Sequence, residues 1–472
     1  MSKKFYRFRS IDNLFGEYKE LERQSIFFAA PDSLNDPMEG FRDIYWKGDY
    51  IIWRNLFRHY FRCLEDYFIK VVLYSETILT GNDINVFLGM QDDDFQTTKH
   101  AESFKKISET FLNNEYIDTL IQKIASRSTV IRKSELLLYI NTINSYAVGV
   151  LESHFNGGDS SKIEASLKGI QHILDGKFFE NFEAMIDSEE SFKLSSPKML
   201  QGYMFLSEQQ ALMHKYNLLK NNLSIRSYML LDFPKLYVEQ IQKLMYPDWY
   251  TACFMTECAN SSIWAHYAKN HTGVCLVYEA QDGQDGSSLL SLRWKENPDQ
   301  RVNYAERSSF QFRPIDYVDG AGEIDFFRSL GRLPYPGLLS TWYFSNDEES
   351  ICANAILNDE DAWRDTYWAS FYRDIVKKTK DWAYENEHRL ILTSMFRDLS
   401  SPEDRTLTYE FQDLHGLIFG INTSTEDKIK VVKCIEKKCI EHSRKEFEFY
   451  QAYYCHDSKS ILHYPLSLIK FT

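Results

Sequence analysis

"WYTACFMTECANSSIWAHYAKNHTGVCLVYE", Trp249–Glu279, decides the fold. The run WYTACFMTE has the length and apolar density of a buried strand. "SSIWAHYAKNH", Ser261–His271, carries apolar residues at helical spacing behind a Ser261 cap. Gly273 then opens a second apolar run, Val274–Glu279. On the N-terminal side of Pro247 the period is different. From about Asp49 to Tyr246 the chain repeats amphipathic helix patterns: a long one from Tyr50, then "AESFKKISETFLNNEYIDTLIQKIAS", "KSELLLYINTINSYAVGVLESHF" and "SEQQALMHKYNLLKNNL". Gly157-Gly158 and Pro197 mark breaks between them, and no internal repeat is visible.

The first forty residues read strand, helix, strand. In "KFYRFRS" alternation puts Tyr6 and Phe8 on one face and Arg7 and Arg9 on the other. A short helix follows, with Ser10 or Asp12 as its cap, and then "SIFFAA", closed by Pro31. Beyond Glu279, strands are expected at "QRVNYAE", "FQFRPIDYV", "EHRLILTS", "LTYEF", "LHGLIFGI" and "EFEFYQAYY". Helices are expected over 360–378 and 425–439, the second with a Ser/Thr cap. The sequence therefore predicts an α+β fold: a mixed or antiparallel sheet core from residues 1–44 and 248–472, interrupted by a large all-helical insertion over about 45–247.

Charge and composition exclude several classes. The net charge is −14, which argues against nucleic acid as a partner. The eight cysteines form no C-x-x-C pair and match no zinc-finger spacing, so they read as free thiols, and the chain is expected to be cytoplasmic. No apolar run is long enough for a membrane helix. His266 and His271 stand five apart, poor spacing for a metal on a helix, and no metal site is expected. "QDDDF", Gln91–Phe95, reads as a solvated acidic loop. Walker, G-x-G-x-x-G, H-E-x-x-H and G-x-S-x-G motifs are missing.

Three stretches remain as candidate site. In "SLNDPMEG" the Asn35-Asp36-Pro37 group is good turn chemistry, since Asn and Asp bond their own backbone and Pro fixes the exit. It also lies at a strand end, with Glu39 and Arg42 close by, where loops usually carry function. In "WAYENEHRLIL" an extended chain from Glu385 puts Glu385, Glu387 and Arg389 on one face, and His388, Leu390 and Leu392 on the other. A solvated charge ladder is the plain reading, but Trp382 and Tyr384 alongside offer stacking surface for a ring. In the helix after Ser261, Trp264, Tyr267, Ala268 and His271 form a stripe with His266 beside it, which reads as packing first and pocket second.

These motifs resemble a bacterial family known as domain of unknown function 2971. Its four parts are matched in order by "YRFRS" with "FFAAPDSLNDPMEG", by "ACFMTECANSSIWAHYAKNHTGVCLVYE", by "KDWAYENEHRLIL", and by "LHGLIFGINTSTEDKIKVV". The departure is the helical block, far longer than the family carries there. The resemblance implies no established activity.

Two functional readings follow. The order of elements is similar to that of ADP-ribosyltransferases, which implies an NAD-using enzyme, in a bacterial stress or defence setting. Glu387, with Glu385, would stabilise the cationic ribose as nicotinamide leaves, and Arg9 would hold the ribose. Tyr6, Asn35, Asp36, Glu39, Trp264, His266, Tyr267, Trp382, Tyr384 and Arg389 would line the ligand site. NAD as substrate, a small nucleotide, is the leading ligand. This is a fold-level analogy. The alternative is a non-enzymatic ligand-sensing or protein-interaction module whose helical insertion mediates assembly or self-association.

Overall fold

The computed structural model describes residues 3–36, 38–40, 42–73, 83–155, 201–202, 205–213, 216, 226–294, 307–320, 322–345, 348–395 and 397–471. Pro37, the breaks at Gly157-Gly158 and Pro197, and the strand expected at "QRVNYAE" lie outside the described residues. The fold is α+β, in two compact units. The first comprises Met1–Phe41, Pro247–Gly322 and Tyr372–Thr472, and the second Arg42–Tyr246 and Glu323–Phe371.

The first unit is built on an eight-stranded sheet. Its strands are β1 (Lys4–Arg9), β3 (Trp249–Met255), β4 (Val274–Glu279), β5 (Glu387–Thr393), β6 (Leu414–Phe419), β7 (Glu448–Cys455) and β8 (Ser460–Pro465). A two-residue strand, Arg313–Pro314, adds to β5, and the order is β5-β3-β1-β4-β6-β7-β8. Every pairing is antiparallel except β6 with β7, where helix Thr425–Glu441 makes the crossover that a parallel pair needs. Ser424 caps that helix, accepting from the Asp427 N–H. A second sheet carries the short strand β2 (Ser25–Phe27), paired to Thr406–Tyr409.

Alternation along β1 works as the sequence predicts. Phe5 enters the main core, whereas Phe8, with Tyr6 partly buried beside it, enters a smaller core around Ile263 and Trp264. The pairing of β1 is uneven. It runs with β4 from Lys4↔Glu279 to Arg9↔Val274, but meets β3 only at Tyr6↔Met255. Meanwhile β3 stays paired to β5 from Glu387↔Met255 to Thr393↔Trp249. The sheet therefore opens between Arg7–Arg9 and residues 252–254. Ala29, just past β2, bridges to Thr251 at the edge of the opening, through hydrogen bonds of 2.8 and 2.9 Å.

Several expectations are corrected here. The helix after Asn260 is α1 (Ser261–Tyr267), capped by Asn260 rather than Ser261. It stops before His271 because Lys269, Asn270 and His271 all take positive φ. The helix expected over 360–378 ends at Asp374, and Lys377–Thr379 instead forms a strand parallel to Asp316–Val318. Extended chain begins at Glu387, not Glu385, because Lys380–Glu385 is a 3-10 turn closed by Asn386 at φ 45°, a conformation Asn tolerates.

The second unit is mainly helical, with Tyr50–Leu73 and Lys133–Phe155 its longest helices. It is not all-helical. Asp43–Trp46 pairs with Glu323–Asp325 and with Ile131–Arg132. The segment 323–371, expected with the strands of 248–472, belongs to this unit because its aromatics pack there: Phe326 on Trp46 (5.4 Å), Phe327 on Trp53 (5.1 Å) and Phe371 on Tyr246 (5.1 Å). Arg42 stacks on Tyr246 at 4.6 Å. Among the described residues no helix is long and apolar enough to cross a membrane.

Gly273 lets β4 pair closely with β1, since a Cβ there would sit 2.2 Å from the Arg9 carbonyl oxygen. Gly273→Ala is expected to lower stability by about 1–3 kcal/mol. Chemical denaturation checks this, and an unchanged midpoint would mean that the turn relaxes freely.

Candidate functional site

The site grows from the end of β5. Glu387 and Arg389 point to the face opposite Leu390 and Leu392, which are in the main core. That face is not solvated, as a charge ladder would be. Glu385, Glu387 and Arg389 are each at most 1% exposed. Buried charges persist only when paired and hydrogen-bonded, and here they are. Lys378, from the strand Lys377–Thr379, donates to Glu385 Oε2 at 2.8 Å and Glu387 Oε2 at 2.9 Å. Arg389 holds Glu387 through Nε at 2.8 Å, and its Nη1 donates to the Ile375 carbonyl at 3.2 Å.

The Asn-Asp-Pro turn supplies a third carboxylate. Asp36 Oδ1 accepts from the Met38 N–H at 2.8 Å, and the Asp36 carbonyl accepts from the Glu39 N–H at 2.9 Å. This turn carries the Glu39 side chain onto Arg389 Nη2, with Lys378 Nζ 3.6 Å away. Asp36 is itself buried and acts electrostatically on Arg389. Tyr267, from α1, donates to Glu385 Oε1 at 2.7 Å. The Tyr317 hydroxyl accepts from the Glu387 backbone N–H at 2.9 Å.

Charge counting within this network is informative. Glu39, Glu385 and Glu387 share two cations, Lys378 and Arg389, so full ionisation leaves a net negative charge in a dry site. Burial accordingly raises the Glu387 carboxyl above its ordinary 4.5, against the pull of Lys378. For Lys378 burial opposes the charged form, yet Glu387 and Glu385 outweigh it and hold the ammonium above its ordinary 10.5. Burial, then Glu385, pushes the Tyr267 phenol up, and burial, then Glu387, does the same to the Cys253 thiol. Neither group is an activated nucleophile. Burial lowers the Arg389 guanidinium and Asp36 raises it; with Glu387 and Glu39 on its nitrogens it remains a cation.

Beside the network, in the opening between β1 and β3, lies a cavity of about 210 Å³. Arg9, Asn35, Glu39, Tyr267 and Lys378 line it, with Arg7 and Cys253. Arg9 is steadied there by Glu20 at 2.8 Å. Five of the residues expected at one site are thus accounted for by this cavity and its wall: Arg9, Asn35, Glu39 and Tyr267 on the lining, Arg389 directly behind Glu39. Glu385 and Glu387 stand behind Lys378, and Asp36 behind Glu39, not on the surface of the cavity as expected. Trp264 is a core residue, edge-on to Phe8 at 4.9 Å and donating to the Cys258 carbonyl at 2.8 Å. Tyr6 lies on the rung between β4 and Met255, and burial raises its phenol to about 12. His266 is exposed and 6.4 Å from Trp382, whose ring is tilted against Tyr384 at 6.1 Å and lies 4.8 Å from Lys378 Nζ. These rings flank the network without lining the cavity. Among the described residues no group of three His, Cys, Asp or Glu is placed to hold a metal ion.

Lys378, Arg7, Cys253 and Tyr317 were missed by sequence reasoning. The signal for Lys378 was present: two glutamates and an arginine on one strand face leave a charge that needs a second cation. "IVKKT" also reads as a short strand once the helix is ended at Asp374.

Residues 263–390 match the model of a family described as "Protein of unknown function (DUF2971)". The resemblance to that family is thus shown over a segment holding most of α1, with β4, Lys378 and the Glu385–Arg389 group. No curated protein and no solved structure matches the chain.

Two outcomes test the network. Lys378→Met leaves three carboxylates against one cation, and is expected to cost about 3–5 kcal/mol. Glu387→Gln imitates the protonated acid and should cost far less. Glu387 has a raised folded value, so its contribution is complete below pH 4.5 and is lost as pH rises through that value. The stability of Glu387→Gln relative to wild type should therefore improve as pH climbs above 4.5. Denaturant titrations at stepped pH check both, and equal costs for the two variants would refute the shared-charge description.

Proposed function

We propose that the first unit is a binding module for a small ligand, an NAD-derived nucleotide being the first candidate, and that its activity is recognition rather than group transfer. The observation that carries this reading is the cavity in the split sheet, where the carboxylates on and behind the wall are already paired with cations. Group transfer needs a carboxylate or nucleophile free to answer charge in the transition state. Glu385 and Glu387 are each committed to cations behind the lining, Glu39 is held by Arg389 and Lys378, and the Cys253 thiol stays protonated. Such a rigid, prepaid wall suits recognition, because little ordering is left to be done on binding.

An ADP-ribosyltransferase is the second reading, favoured by one observation. Arg9, the residue for the ribose in that chemistry, and Tyr267, expected to line the ligand site, line the same cavity.

Calorimetric titration with NAD⁺, ADP-ribose and nicotinamide, together with an assay of nicotinamide release, separates the two. Binding of at least one of the three without release is expected. Release by wild type that falls by on the order of 10²–10³ in Glu387→Gln would establish the transferase instead. Failure of all three to bind would remove NAD as the ligand class.

A further inference from the structure

Arg7 lines the cavity, and the ion network does not engage it. It is 4% exposed and lies on the open side of the Tyr6↔Met255 rung. Its Nη2 donates to the Phe27 carbonyl at 3.2 Å, and its guanidinium carbon is 5.2 Å from the Phe254 ring centre. Among the described residues Nε and Nη1 are buried and have no acceptor. Leaving charged donors unpaired in a dry site is costly. The carboxylates nearby are already engaged: Glu20 holds Arg9, and Glu39 is held by Arg389 and Lys378. Burial, and then the neighbouring Arg9, lower the Arg7 guanidinium to about 10, against a smaller opposing pull from Glu20.

We infer that Arg7 and Arg9, two residues apart on β1, form a seat for an oxyanion: the phosphate or carboxylate group of a small ligand entering the opening between β1 and β3. The inference rests on the ligand-binding reading above and specifies what the ligand must carry. A guanidinium donates charge-assisted N–H bonds to an oxyanion, and Nε and Nη1 of Arg7 are without an acceptor. The cavity holds roughly seven water volumes at ~30 Å³ each. A phosphate with a short appendage fits, whereas a whole dinucleotide extends beyond it.

The test is thermal unfolding of the full chain against inorganic phosphate, malonate and nicotinamide, at ionic strength fixed with sodium chloride. Phosphate or malonate should raise the midpoint saturably, as any ligand of the folded state does, and the stronger of the two identifies the group. Arg7→Met should abolish the shift, and Arg9→Gln should weaken the apparent affinity by at least about tenfold. Should Arg7→Met not fold, Arg9→Gln decides alone. A shift no larger than that of chloride, or one untouched by these variants, overturns the seat. A response to nicotinamide but to neither anion also overturns it while leaving the ligand site standing; no response to any probe overturns both.

Discussion

The ammonium of Lys378 is the contact on which the rest of the site depends. It reaches the carboxylates of Glu385 and Glu387 at 2.8 and 2.9 Å and Glu39 at 3.6 Å. Those three acids come from two chain segments more than three hundred residues apart in sequence. Lys378 itself is placed by the short strand it forms with Asp316–Val318. A buried ion network of this kind adds little net stability over an apolar core of the same shape, yet removing one partner is expensive. Its effect is geometric: it fixes the Glu39 loop against the end of β5, and so fixes two walls of the cavity.

The open rung between β1 and β3 is the second constraint. A sheet that stayed paired beyond Tyr6↔Met255 would leave no room beside Arg7 and Arg9. The opening exists because residues 27–29 enter there, with Ala29 pairing to Thr251 and the Phe27 carbonyl capping one nitrogen of Arg7. The cavity is therefore a consequence of topology, and its polarity a consequence of the alternation in "YRFRS". Taken together these features describe a preorganised polar pocket, which is the condition for selective recognition of a small charged group.

Much of this was legible in the sequence. Alternation gave the faces of β1 and β5, and the change of period near Pro247 separated strands from helices. Both signals are local and depend only on which residues face a core. The turn at Asn35-Asp36 was legible because Asx chemistry is local too. What stayed hidden depends on partners distant in sequence. The segment "RDIVKKTK" does not by itself single out which lysine answers the charge left on the Glu385, Glu387 and Arg389 face, since helix propensity favours continuing from Glu360 and tertiary pairing overrides it. The return of 323–371 to the helical unit is likewise decided by aromatic contacts, Phe326 on Trp46 and Phe327 on Trp53, that no periodicity records. Arg7 was legible only as sharing a face with Arg9 opposite Tyr6 and Phe8, and its burial beside Phe254 shows only in the fold.

The central claim is that three carboxylates share two cations, so that burial and the neighbouring acid hold the Glu387 carboxyl above its ordinary range. Carbon-13 NMR of protein labelled at the glutamate carboxyls measures this directly, with Glu39→Gln, Glu385→Gln and Glu387→Gln used to assign the signals. The account predicts that the Glu387 carboxyl titrates above the ordinary carboxylate range. Titration of Glu387 at or below that range would contradict it.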